Sequence, residues 1–313
     1  FDFEVESVRR YPLTASLLKT GKIAMGAKTA NAADIKRAAK QIGLNEFFES
    51  NSSYANMRSK YYIEMLTLEY HLYTPKRKKK NETEVSYQDI LRNLFDNLSN
   101  IYSQLPGLLL PHIKGLRKQM TDFHRLDELF TDLCEWMAEE SERWVPIDEV
   151  LLKSLALEDY SEPERYDAMV FNPGYQKSEI RLENEFSHKD ISIEHFTDEF
   201  GLTALKASAF MLCSLGIAEV AIADEIAPSS PFSSLRYLRL TPLGRYVLHV
   251  SNDYDAPEEE HVAYFELDTD RLVIRSLVEP NPYAQLLLDT STAISRNRFE
   301  TSPQSFLSHC MTQ

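Results

Sequence analysis

A short segment in the second half of the chain constrains the fold more than any other part. Its first stretch, Ala204–Leu215, is apolar at helical spacing, and the next two, Leu215–Ala223 and Leu235–Leu240, alternate in the manner of β-strands. Thr241-Pro242 then starts another helix, since threonine is a good N-cap and proline is favoured at the first helical position. The segment predicts a helix, a β-hairpin and a closing helix.

The residues just before this segment extend the pattern. Ser192–Phe200 has the spacing of a short helix, Thr203 is suited to cap the helix that follows, and Gly216 is suited to end it. Two short helices, a hairpin and a closing helix make a winged-helix arrangement. We therefore expect a mostly α chain with small β-hairpins, an α+β class.

A basic helix is predicted near the start of the chain. Asn31 is a good N-cap, Asp34 lies in the first turn, and Gly43 is a good helix stop. One face of this helix is apolar, and Lys36, Arg37 and Lys40 fall on the other. A basic helix after a turn is one component of a helix-turn-helix module. Further upstream, Leu13, Leu17 and Leu18 indicate a helix over Tyr11–Lys19.

Charge is distributed unevenly along the 313 residues. Residues 1–80 hold 15 Lys and Arg against 8 Asp and Glu, whereas residues 81–313 hold the remaining 19 and 40. Such asymmetry is typical of a chain in which one part binds a polyanion. The other interpretation is a basic surface that docks on the acidic remainder of the same protein, and the sequence leaves both open.

A second basic cluster follows a predicted long helix over Met57–Tyr73. The segment Pro75–Glu84 is polar and charged, which predicts an exposed loop, either a plain solvated loop or a nuclear localisation signal or phosphate-binding arm. The candidate nucleic-acid-binding residues of both clusters are Lys22, Lys28, Lys36, Arg37, Lys40, Lys76, Arg77, Lys78, Lys79 and Lys80.

The middle of the chain reads as helical and acidic. Helical spacing runs through residues 87–144 and again through Pro146–Leu157. Trp136 and Trp144 are predicted to be core or domain-interface residues. Residues 122–164 carry 14 acidic and 3 basic side chains, so this region should face away from nucleic acid.

The helix before the predicted wing is a poor reader of DNA sequence. It offers Lys206 but no Arg, Asn or Gln, the side chains that specify bases in the major groove. We therefore expect a buried, scaffolding helix more than a recognition helix. Arg236 and Arg239 on the second strand differ in parity, so they face opposite sides and form no clamp.

The last part of the chain predicts a small α/β module. Strands are indicated over Ala263–Leu267, Leu272–Leu277 and Arg298–Thr301, and helices over Tyr283–Leu288 and after Ser302. With it, the predicted domains are a basic helix-turn-helix-like module (1–50), a helical region (51–145), a winged helix (146–250) and a small α/β module (251–313). The chain starts with Phe1 and ends soon after a helix start, so we expect a piece of a longer protein.

These features resemble the bacterial helicase-associated winged-helix proteins. The resemblance is carried by Lys28-Thr29 with the basic helix Asp34–Leu44, by Gly201–Gly216 with the hairpin and Leu240–Arg245, and by residues 262–310. It implies a winged helix followed by a small α/β module, working beside a helicase or a transcription-related assembly. The helicase motor itself is not expected, since the sequence has no GxxxxGK[ST] loop.

Several chemistries find no support in the sequence. The 8 histidines form no HExxH motif, the 3 cysteines form no CxxC pair, and the 9 glycines form neither GxSxG nor GxGxxG. We expect no enzyme, no cofactor, no metal and no small-molecule substrate, with Cys134 and Cys213 as core thiols. No apolar run reaches the ~18 residues that a membrane helix needs, and the cysteine usage suits a reducing compartment, cytoplasmic or nuclear, with the cytoplasm first.

The sequence thus predicts a non-enzymatic winged-helix protein that acts on nucleic acid, DNA being the first expectation, or within a nucleic-acid-processing complex. The alternative is a protein–protein adaptor whose winged-helix modules make no contact with nucleic acid.

Overall fold

The computed structural model describes one chain in the following residues: 1–24, 30–48, 54–77, 85–97, 109, 116–118, 124–150, 182–184, 189–190, 202–223, 231–256, 265–268, 273–276, 293–295 and 298–300. Within these residues the protein is mostly helical with small antiparallel sheets, which confirms the α+β class. No helix of the described part is long and apolar enough to cross a membrane.

The first two helices differ in how well the sequence predicted them. Helix α1, Glu4–Lys19, begins well before the predicted Tyr11 and continues through Pro12, whose ring is exposed. Helix α2, Ala32–Ile42, has the predicted ends: the Asn31 side chain accepts a hydrogen bond from the Ala33 N–H, and Gly43 ends the helix at a φ of 66°.

The next helices are α3, Met57–Arg77, α4, Tyr87–Asp96, and α5, His124–Glu139, with a short strand β1, Leu116–Lys118, before α5. Helix α3 continues through Pro75, so the prediction of an exposed loop from Pro75 onward is wrong for its first residues. The backbone of Lys76 and Arg77 is helical.

A three-stranded antiparallel sheet follows. Its first strand is β2, Val145–Pro146. Strands β3, Leu182–Asn184, and β4, Lys189–Asp190, belong to a separate sheet with β1. Helix α6, Leu202–Ser214, comes next along the chain. The hairpin strands β5, Ala218–Ile222, and β6, Leu235–Leu240, lead to helix α7, Pro242–Val247. The strand order is β2–β6–β5, with β2 beside the last strand of the hairpin.

Two sequence predictions in this region are wrong. Pro146 belongs to a strand, not to the start of a helix, because Val145 and Pro146 pair with Leu238 and Tyr237; helical backbone begins only at residue 147. Thr203 lies inside α6, which begins at Leu202, and so it is not the residue before the helix.

The corner between β6 and α7 has the predicted form. The Thr241 hydroxyl accepts a hydrogen bond from the Gly244 N–H at 2.9 Å and donates one to the Gly216 carbonyl at 2.7 Å. Leu243 and Val247 are fully buried, and α7 packs against α4 and β6. A Cβ on Gly244 would lie 1.9 Å from the Ile217 carbonyl oxygen, so only glycine fits this close approach.

Helix α6 lies at the centre of the described core. It packs against α3, α5 and β5, and every residue from Ala204 to Leu215 is buried, which confirms the prediction of a buried helix. The first residues of the chain reach the same region, since Glu4 accepts a hydrogen bond from the Leu243 N–H at 2.9 Å. The buried side chains from Phe3 to Val247 form one core cluster.

The C-terminal residues add a four-stranded antiparallel sheet. Its strands are β7, Phe265–Asp268, β8, Val273–Ser276, β9, Ala293–Ser295, and β10, Arg298–Glu300, in the order β7–β8–β10–β9. Three of them lie at predicted strands, and β9 is additional. The helices predicted over Ser192–Phe200, Tyr283–Leu288 and after Ser302 lie outside the described residues, and the four domain boundaries remain predictions.

Candidate nucleic-acid interface

Helix α2 holds three cations on its outer side. Its apolar side is buried, whereas Lys36, Arg37 and Lys40 are exposed, as the periodicity predicted. Residues three and four apart on a helix are neighbours, about 5–6 Å apart at Cβ, so these three cations form one cluster. We call Lys36, Arg37 and Lys40 the basic face.

The start of α2 is fixed by a buried carboxylate. One oxygen of Asp34 accepts a hydrogen bond from the Ala24 N–H at 3.3 Å, and the other pairs with Arg37. The turn between α1 and α2 is thereby tied to the helix, and Arg37 is oriented along it. Lys22, in that turn, is exposed.

Carboxylates in the same part of the chain are largely turned inward. Burial raises the pKa of Glu4, and it raises that of Glu64 to about 7, with Lys60 opposing the shift. The acidic side chains that are buried before residue 78 are Glu4, Asp34, Glu64 and Glu69. Of these, Asp34 belongs to α2 and pairs with Arg37, so the positive charge of the basic face is partly compensated.

One cation of the basic region is wholly internal. Arg58 is fully buried, and its guanidinium lies 2.5 Å from Glu6 Oε2 and 2.6 Å from the Asn45 carbonyl oxygen, with its carbon 3.7 Å from the Phe3 ring centroid. A count of charges along the sequence does not reveal this, since the pairing joins residues more than fifty positions apart. Arg58 stabilises the fold and is no part of the basic face.

The structure brings together only some of the predicted site residues. Lys36, Arg37 and Lys40 share the basic face, and Lys22 is exposed in the preceding turn. Lys76 and Arg77 lie at the end of α3, where the structure describes the backbone alone. Lys28, Lys78, Lys79 and Lys80 lie outside the described residues.

Helix α6 offers no surface for reading bases. Its single cation, Lys206, is buried, and burial lowers its pKa. On strand β6, Arg236 is exposed, whereas Arg239 pairs with Glu219 at 2.8 Å. The two arginines have separate surroundings and form no clamp, as predicted.

Two aromatic side chains are exposed on the outer face of the sheet β2–β6–β5. In the register, Tyr237 lies between Pro146 and Ala221. Trp144 directly precedes β2. The side chains of Trp144 and Tyr237 are 38% and 47% exposed. We call Trp144, Pro146, Tyr237 and Ala221 the aromatic platform.

Trp144 is 38% exposed and so is not a core residue, one of the two positions predicted for it, and a domain-interface position stays a prediction. The burial of Trp136 is confirmed. Val145 takes the inward position next to Trp144, opposite the buried Leu238, and successive strand residues point to opposite faces. A strand of two residues is too short to show alternation in a sequence. If β2 had been predicted, alternation along it would have placed Trp144 on the same face as Pro146 and its partner Tyr237.

The two cysteines that the structure describes are free, buried thiols, as predicted. Burial raises the pKa of Cys134, and it raises that of Cys213 to about 12, so neither is a nucleophile at neutral pH.

Comparison of the chain with protein-family models, with curated proteins and with solved structures finds no match.

Proposed function

We propose that this protein binds nucleic acid through the basic face and uses a winged helix as a scaffold. The observation that carries the proposal is the exposure of Lys36, Arg37 and Lys40 as one cluster on a capped helix, where Asp34 pairs with Arg37 alone among the three. Clustered cations attract phosphates through counterion release, a term that is independent of sequence.

The winged-helix assignment is supported by the order of elements. Helix α5, strand β2, a helical stretch from residue 147, helix α6 and the hairpin β5–β6 occur in this order, with β3 and β4 of the separate sheet between residue 150 and α6. Strand β2 pairs with the second hairpin strand. This order supports a winged helix with a long insertion before α6, which would take the recognition position. Because α6 is buried against α3, we assign contact with DNA to another surface, and α2 offers a cluster of exposed cations.

This mode of binding has defined properties. The basic face holds lysine and arginine, which contact phosphate oxygens, and it holds no asparagine or glutamine for reading bases. We expect weak sequence preference, strong dependence on salt and no catalysis. The acidic residues of α5 would face away from the duplex.

The test is titration of fluorescein-labelled duplex DNA, single-stranded DNA and RNA at two salt concentrations. The variant Lys36→Gln/Arg37→Gln/Lys40→Gln should lose most affinity, and the slope of log K against log salt should fall by up to about 3, since each phosphate contact contributes about 0.9. The matched control, Lys36→Arg/Arg37→Lys/Lys40→Arg, keeps the charge and should bind as the parent does. Undiminished binding by the glutamine variant, or loss of binding in Lys206→Gln alone, would overturn the proposal.

A second candidate function is that of an adaptor between proteins. It is favoured by the burial of α6, which removes the usual DNA-reading helix, and by the exposed rings of Trp144 and Tyr237. The titration separates the two, because an adaptor binds none of the three nucleic acids.

A further inference from the structure

The aromatic platform presents two exposed aromatic side chains beside a proline. Tyr237 projects from the middle strand, flanked in the register by Pro146 and Ala221, and Trp144 lies at the end of the same outer face. Extended proline-containing segments dock on aromatic surfaces of this kind, because they pay little conformational entropy on binding and proline packs flat against a ring.

A cation already lies on one of these rings. The guanidinium carbon of Arg239 lies 4.8 Å from the centroid of the Trp144 ring. Both oxygens of Glu219 hold the same guanidinium, at 2.8 and 3.0 Å. The local geometry therefore combines ring and carboxylate around a guanidinium, and the exposed ring of Tyr237 offers a similar surface to an incoming cation.

Acidic side chains border Trp144. The neighbouring Arg143 is bound by two carboxylates, Glu140 at 2.6 Å and Glu149 at 3.3 Å, and Glu142 is exposed beside it. We call Glu140, Glu142 and Glu149 the acidic rim. With one arginine among three carboxylates, this border is negative, which favours a cationic ligand and disfavours a phosphate backbone.

We infer that the aromatic platform and the acidic rim bind a basic, proline-containing segment of a partner protein in extended conformation. Proline of that segment packs on the rings of Trp144 and Tyr237, and its arginine or lysine side chains meet the acidic rim. The inference is independent of nucleic-acid binding, since the basic face lies on α2 and shares no residue with this surface.

The test is fluorescence anisotropy with a labelled peptide of about ten residues that alternates arginine and proline. Trp144→Ser and Tyr237→Ser should each weaken binding about tenfold, which is the usual effect of losing an aromatic anchor. Val250→Ser removes an equally exposed apolar side chain elsewhere and should change nothing. Because both aromatic positions are exposed, the melting temperatures should stay close to that of the parent, and Trp144→Phe should restore part of the affinity.

The charge requirement is tested separately. Glu142→Gln/Glu149→Gln keeps the rings and should weaken binding severalfold, with less dependence on salt. A peptide with glutamate in place of arginine should not bind. The inference is overturned if the arginine peptide does not bind, if it binds Trp144→Ser normally, or if the glutamate peptide binds with the same affinity. It is also overturned if Trp144 is needed for binding of single-stranded DNA, or if Trp144 mediates self-association of the chain.

Discussion

Glu64 is a carboxyl group that the fold leaves almost without solvent. Its side chain belongs to α3, the residue is 4% exposed, and its Oε2 has no hydrogen-bond partner among the described residues. Burial raises its pKa to about 7, against an ordinary value of 4.5, although Lys60 acts in the opposite direction. The folded protein therefore keeps this proton to a higher pH than the unfolded chain does.

This difference predicts how stability changes with pH. The contribution of Glu64 is fully favourable below pH 4.5 and is lost as the pH rises to about 7, because the unfolded chain releases the proton first. The loss is about 3 kcal/mol at pH 8, at about 1.4 kcal/mol per pKa unit. Glu64→Gln should make the free energy of unfolding less dependent on pH over this window.

Urea melts at pH 5 and pH 8 provide the measurement, with the exposed Glu142→Gln as the control. An unchanged pH dependence in Glu64→Gln would show that the carboxyl group is solvated.

Gly244 and Gly21 offer a matched pair of substitutions. A Cβ at Gly244 would lie 1.9 Å from the Ile217 carbonyl oxygen, which is rigid backbone, whereas a Cβ at Gly21 meets nothing within 4 Å. Gly21→Ala meets only the cost of a positive φ, about 1–2 kcal/mol. Gly244→Ala must displace the corner, so its melting temperature should fall much further. If Gly244→Ala and Gly21→Ala lowered the melting temperature equally, the close approach of Gly244 to the Ile217 carbonyl oxygen would be contradicted.

At the scale of elements, the sequence predicts a helix best where capping residues mark its ends. Helix α2 was predictable from Asn31 and Gly43, and α7 from Thr241, because caps and turns are local. The two residues of β2 and the early start of α1 were not predictable. Strand β2 is defined by its partner β6, which lies about ninety residues further along the chain.

The same distinction applies to the candidate site. The orientation of the basic face follows from helical period alone, so the sequence predicted it. The burial of Arg58 and the exposure of Trp144 depend on which elements pack together, and no local pattern carries that information.

The corner between β6 and α7 should be sensitive to truncation in its centre. Leu243 is fully buried, so Leu243→Ala should reduce the free energy of unfolding by about 2–5 kcal/mol, because it removes transfer energy and leaves a cavity. Thr241→Ala removes a cap and should cost about 1 kcal/mol. Chemical denaturation with both variants checks the order; a neutral Leu243→Ala would mean that α7 does not pack beneath the hairpin.

At the scale of the whole molecule, the first residues close the core around α6. The Phe1 amino group donates to the Val220 carbonyl oxygen at 2.5 Å, and the Val220 N–H donates to the Phe1 carbonyl oxygen at 3.0 Å. The Ser7 hydroxyl donates to the Ser214 carbonyl at 3.2 Å. The packing of the first residues of the chain and that of α6 and β5 thus depend on each other.

Glu4 tests this dependence. Its buried carboxylate accepts the Leu243 N–H, so Glu4→Ala leaves a buried donor without its partner and should cost about 1–3 kcal/mol. Glu4→Gln keeps an acceptor oxygen and should retain most of the stability. Hydrogen exchange at the Leu243 amide should be faster in the alanine variant only; equal protection in all three proteins would exclude the contact.

The central position of α6 has a consequence for biosynthesis. Helices α1 to α4 leave the ribosome first, and α3 then lacks the helix that packs against it, because α6 begins only at Leu202. Apolar side chains in the early part of the nascent chain therefore stay exposed, and accessible to chaperones, until more than a hundred further residues have been translated. Premature termination before α6 would release an aggregation-prone chain, whereas termination after α7 would release a chain that can complete this core.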